Sequence, residues 1–265
     1  MGKRKKANDA LLSVLIWALL LLYFLVAAGL LSGVLPRGWR AAGLPVLTLI
    51  AWGTAILHAV ASLGGWAAAL FFGISFAVSL GMETLGVRTG LVYGAYHYTP
   101  KLGFRVFGLV PVLIPLAWFV MVYPGWAMAR RIVPKRGALR KAAVGAVGAF
   151  AVTAWDLALD PFMVKRGYWV WENGGGFFGV PLHNFAGWWL TVFLVLALFE
   201  ALGEWKPCRP NAFSLQPVVL YAVMGFTTVW AALQNGLGGP ALAGAFAMLP
   251  WALWGWASAR EGDEA

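Results

Sequence analysis

Acidic side chains are scarce in this sequence, and Glu83, Asp156, Asp160 and Glu200 fall inside or at the edge of long apolar runs. Acids in such places are costly and face a cavity or a partner. Tyr96 and Tyr98 follow Glu83, Trp155 precedes Asp156, and Trp169 and Trp171 follow Asp160. Burial among aromatic rings disfavours the charged form of a carboxyl group, which is how a neutral general acid persists. The ring faces attract cations by roughly 0.5–2 kcal/mol each. Proton donors beside such rings could form a carbocation and shelter it.

Spacing refines this set. Asp156 and Asp160 are four apart, so a continuing helix brings both carboxyls onto one face. Pro161 pushes its predecessor away from helical angles, which would make Asp160 the end of the helix instead. His183 and Asn184, at the mouth of the next apolar run, could hold a water or a carboxylate, and Asn184 could equally cap that helix. Gly174, Gly175, Gly176 and Gly179 with Pro181 form a loop without the GKS or GKT ending of a phosphate-binding loop. His58, His97 and His183 form no HxxH or HxxxH pair, which argues against a di-iron or zinc centre. A mononuclear site from His97, His183 and a carboxylate stays open. Against the catalytic reading stands a plainer one, in which Arg88, Lys165 or Arg166 pair with the acids and the tryptophans belt the membrane interface. Glu200 and Glu204, beside Trp205 and Lys206, read as structural ion-pair partners.

The elements that must position these residues are membrane spans. The chain is 61% hydrophobic and 11% charged, against roughly 25% charged in a soluble domain. Apolar runs at residues 11–35, 44–63, 66–82, 106–128, 142–159, 185–204, 216–234 and 240–258 are each compatible with crossing a hydrocarbon core of about 30 Å. The expected fold is all-α: a polytopic transmembrane helical bundle of about eight spans, one domain over residues 1–265, with polar and aromatic loops after the third and fifth spans. The formal charge of +10 reflects basic connections rather than nucleic-acid binding. With both termini cytoplasmic in the cell membrane, 13 of the 20 Lys and Arg residues fall inside and 7 outside, and the two loops share the outer side. Cys208 has no second cysteine for an internal disulfide.

Three blocks, ETLGVRTGLVYGAYHYT, WDLALDP and WVWENGGGFFGVPLHNFAGW, together resemble the integral-membrane carotenoid 1,2-hydratases, over roughly residues 83–188. That family adds water to acyclic end groups of γ-carotene-type or bisanhydrobacterioruberin-type pigments. The resemblance implies a multi-span enzyme with no redox cofactor and a polyene substrate; membrane lipid and other carotenoid-pathway membrane enzymes are the expected partners, and the histidine spacing leads to no metal being expected. Acid-catalysed hydration would use Asp156 as leading acid with Asp160 or Glu83 as second carboxylate. Tyr96, Tyr98, Trp155, Trp169 and Trp171 would line the end-group site, and His183 with Asn184 would position water. Two other readings fit the same residues: a lipid or pigment transporter, although no inverted repeat is visible, and another isoprenoid-modifying enzyme such as a cyclase or isomerase.

Overall fold

The computed structural model describes residues 2–135, 137–205 and 213–264; Lys206, Cys208 and Arg209 lie outside the described residues. The architecture is an all-α polytopic bundle. In chain order its helices are α1 (Gly2–Leu31), α2 (Arg37–Leu63), α3 (Gly65–Thr89), α4 (Leu113–Ile132), α5 (Arg140–Lys165), α6 (Leu182–Ala201), α7 (Gln216–Gln234) and α8 (Gly238–Glu264). Six of them, all but α4 and α8, are long and apolar enough to cross a membrane by length and composition. In α4, tryptophan, tyrosine, proline and glycine dilute the apolar content, yet residues 118–129 are buried without interruption. It packs on α2, α3, α5, α7 and α8, and a helix buried all round is a core helix.

Several boundaries differ from the sequence expectation. The third helix continues to Thr89, so Glu83 lies within α3 rather than at its end. Ser75, Ser79, Glu83 and Gly86 form one buried stripe along it. The fifth helix runs through Pro161 to Lys165, so Asp160 is helical and does not mark an end. Helix α5 packs against α4, α6, α7 and α8, and such neighbours hold a membrane helix together across the bond that proline omits. Helix α2 starts at Arg37, placing Gly38 and Gly43 inside it. Residues 106–111 are not helical: β2 (Arg105–Val106) and β3 (Val110–Pro111) form a small antiparallel hairpin before α4.

The two aromatic loops meet at one end of the bundle. There β1 (Tyr96–Tyr98), from the loop after α3, pairs antiparallel with β4 (Trp169–Trp171), from the loop after α5. Near the other end, Phe71, Phe119, Tyr123, Trp126 and Phe199 pack ring on ring, with Phe71 stacked on Phe199 at 4.1 Å between centroids. In a lipid environment such close packing, rather than exclusion of water, holds helices together.

Candidate functional site

The ribbon of β1 and β4 sorts side chains by strand alternation. Its register sets Tyr96 opposite Trp171, His97 opposite Val170, and Tyr98 opposite Trp169. Successive strand residues point to opposite faces. Tyr96, Tyr98, Trp169 and Trp171 are therefore all buried on one face, while His97 and Val170 are exposed on the other. Ring centroids lie 5.8 Å apart for Tyr96 and Trp171 and 5.9 Å apart for Tyr98 and Trp169. The Trp171 indole donates to the Tyr93 carbonyl at 2.8 Å, and the Thr99 hydroxyl donates to the Gly167 carbonyl at 2.8 Å.

Two close approaches fasten this cap to the helices. Tyr93 is wedged against Gly187 of α6: a Cβ there would stand 2.3 Å from the Val92 carbonyl oxygen and 2.7 Å from the Tyr93 ring. The Tyr93 hydroxyl bonds Thr191, one turn further along α6, at 2.7 Å. In the glycine run, a Cβ on Gly175 would lie 2.0 Å from the Val180 carbonyl carbon, so only glycine lets the loop fold back on itself before α6.

Beneath the ribbon lie the acids, each almost fully buried: Glu83 at 5%, Asp156 at 0% and Asp160 at 2% exposure. Glu83 accepts three hydrogen bonds. Tyr96 and Tyr98 both donate to Oε2, the latter at 2.6 Å, and the Trp118 indole donates to Oε1 at 2.9 Å. Asn184 uses its amide nitrogen twice, donating to Asp156 Oδ2 at 2.8 Å and to Asp160 Oδ2 at 2.6 Å. One continuous helix and one shared donor set the two aspartates side by side on the same face of α5. Asp156 Oδ1 is buried with no hydrogen-bond partner. Among the described residues none of the three acids forms a salt bridge, so Arg88, Lys165 and Arg166 do not neutralise them. Burial, and then the Glu83 carboxyl, push the Tyr96 and Tyr98 hydroxyls well above the ordinary phenol range, keeping both as neutral donors.

Glu83, Asp160 and Asn184 line a cavity of about 480 Å³ that runs from the ribbon into the bundle between α1, α2, α4, α5 and α7. Tyr96, Tyr98, Trp155, Trp169 and Trp171 are on its wall. Asp156 is not; it stands behind Asp160. His183 is exposed and outside the cavity lining, because α6 turns its neighbour Asn184 inward and His183 outward. It cannot position water at the carboxyls. Asn184 does not cap α6, whose preceding residue is Pro181; its side chain is committed to the aspartates. His97 and His183, both exposed, do not gather with a buried carboxyl as metal ligands. Trp118 and Trp188, 4.4 Å apart between ring centroids, also face the cavity. Trp188 closes the WVWENGGGFFGVPLHNFAGW block, but Trp118 sits in an ordinary apolar run, where no spacing singles it out.

At the opposite end, Glu200 is an ion-pair partner as expected, 3.1 Å from Arg130 and bonded to the Trp126 indole at 2.7 Å. Glu204 pairs with Lys141 at 3.4 Å.

Fold and site together define a polytopic membrane protein with buried, cation-free carboxyl groups at one end, opening on an aromatic-walled cavity. The model of a family described as carotenoid biosynthesis protein matches residues 43–250, and the chain belongs to that family. Over 151 residues, 55% of the chain, it is 32% identical to a bisanhydrobacterioruberin hydratase of Haloarcula japonica. The matched part spans 50% of that relative's length. No solved structure matches the chain.

Proposed function

We propose that this protein adds water to the terminal 1,2 double bond of an acyclic carotenoid end group, by acid catalysis and without net oxidation or reduction. The observation that carries the reading is the pair Asp156 and Asp160, joined through Asn184, with Asp160 on the wall of an aromatic cavity. Two buried carboxyl groups that share one amide and no cation cannot both carry charge, so one of them keeps a proton. Asp160 delivers that proton to the less substituted carbon of the double bond, and the π electrons form the new C–H bond. The cation left on the tertiary carbon faces Tyr96, Trp155, Trp169 and Trp171, whose rings attract it. Water then bonds to that carbon, and its surplus proton passes to a carboxylate, Glu83 or the aspartate pair. The sum is alkene plus water to tertiary alcohol, with the acid regenerated. Trp118, Tyr96 and Tyr98 fix the Glu83 carboxyl and so set where it meets the water.

In this reading Asp160 replaces Asp156 as the group that touches substrate, and Asp156 is a positioning residue that shares the proton. Both termini are placed on the cytoplasmic side of the cell membrane and the site on the outer side; reporter fusions at Lys135 and Gly175 should report opposite compartments. The decisive experiment expresses the chain in cells that accumulate lycopene or γ-carotene and weighs the extracted pigments. The expected product gains one water and takes its label from H₂¹⁸O, not from ¹⁸O₂. An unchanged pigment pool, with the protein confirmed in the membrane and several acyclic pigments tried, would reject hydration in favour of carriage.

A further inference from the structure

The floor of the cavity is a partition. Val120 and Met121 on α4, Trp155 on α5 and Met224 on α7 bound the main cavity and also a separate void of about 10 Å³, whose other walls are Pro124, Val152 and Tyr221. The rim residue Arg166, which caps α5, and the floor residue Trp155 on it are 11 positions apart, a depth of about 16 Å. Asp160 lies between them, about 9 Å below the rim. An end group seated under the ribbon and beside Asp160 therefore directs the rest of its chain toward the floor. A depth of about 16 Å is only half of the ~30 Å hydrocarbon core, so a polyene that matches the membrane outruns the cavity.

The void beneath continues the same line between α4, α5 and α7. Trp155 is pinned, its indole donating to Thr228 at 2.9 Å. Met121 and Met224 are unbranched with three rotatable bonds each, the side-chain type that adapts to irregular space. Resting on the hydratase reading for the substrate class, we infer that Met121 and Met224 form a movable floor. It parts to admit the polyene shaft into the bundle core, and so selects long polyenes over short isoprenoids bearing the same end group.

The test compares lycopene with farnesol, which ends in the same dimethyl-substituted double bond, in cells expressing wild type, Met224→Trp, or the double variant Met121→Ala/Met224→Ala. The readout is the ratio of lycopene to farnesol hydration. Filling the floor should lower that ratio about tenfold or more, and opening it should raise the ratio. An unchanged ratio in both variants overturns the inference. If Met224→Trp fails to fold, the double variant alone decides, and an unchanged ratio there overturns it. Should wild type hydrate neither probe, the hydratase reading fails separately. Lycopene retained on the purified protein then tests the floor: less on Met224→Trp than on wild type supports it, and equal amounts overturn it.

Discussion

Replacing Asp160 by asparagine separates catalysis from packing. The new side chain has the same shape, and its amide oxygen can accept from Asn184, as Oδ2 does now at 2.6 Å. The amide offers one acceptor where the carboxylate offers two, so the Trp169 indole, which also bonds Asp160, loses its acceptor at about 1–3 kcal/mol. The proton, however, is gone. A positioned general acid contributes about 10²–10⁴-fold, or about 2.7–5.5 kcal/mol of barrier. Asp160→Asn should therefore lower hydrated pigment per unit of membrane protein by about 10²–10⁴-fold with a smaller drop in melting temperature than Asp160→Ala. Asp160→Ala should lose activity and stability together, because Asn184 forfeits an acceptor at about 1–3 kcal/mol. Asp156→Asn keeps the wall acid and should lose less turnover than Asp160→Asn. The assay is mass analysis of extracted pigment, normalised to protein in the membrane, with detergent melting alongside. Full turnover by Asp160→Asn, or a deeper loss in Asp156→Asn, would refute the assignment drawn from the cavity wall.

Glu83→Gln keeps an oxygen for the Trp118 indole but sets N–H groups against the Tyr96 and Tyr98 hydroxyls, reversing those two bonds at a cost of about 1–3 kcal/mol, while turnover per folded molecule falls by about 10²-fold or more; wild-type turnover would remove Glu83 from proton transfer. Gly187→Ala forces a methyl against the Val92 carbonyl and should cost about 1–3 kcal/mol, lowering the melting temperature by about 2–4 °C per kcal/mol. An unshifted melt would contradict the wedge at Tyr93. The raised phenols predict a loss of stability at high pH. Below the ordinary phenol value of 10, folded and unfolded chains both hold these protons and stability is flat; above it the unfolded chain releases protons that Tyr96 and Tyr98 keep, so stability falls as pH rises. Melting curves between pH 8 and about 11 would show the break, and a rise there would reverse the sign. Glu200→Gln removes the carboxylate from a largely buried ion pair, worth about 3 kcal/mol when broken. It should lower protein abundance while leaving turnover per molecule intact.

Hydropathy located the bundle well because lipid demands long uninterrupted helices. The run at 216–234 coincides with α7, and Glu200 pairs with Arg130 as its place beside basic residues implies. Local rules fail where tertiary support overrides them. Pro161 suggested a helix end at Asp160, yet α5 continues to Lys165, and only that continuation keeps the two aspartates on one face. The alternation in YHY and WVW was visible as residue types, but their pairing across some seventy positions was not, and it is the pairing that turns His97 outward. His183 and Asn184 are neighbours with one polar signature, and the helical turn alone decides that one is exposed and the other buried. Trp118 had no local mark because its role is defined by Glu83, on a different helix.

The ribbon also dictates an order of assembly. Its strands come from loops on either side of α4, and the aspartates arrive with α5, so a nascent chain that has released only its first four helices holds Glu83 and its tyrosines but neither the second strand nor the acid pair. Asn184 is made later still, on α6. Non-local pairing of this kind is reached late and slowly in folding. The buried carboxyl cluster under the ribbon is thus complete only once α6 has docked against α5, and the cavity beside it gains its last wall only with α7.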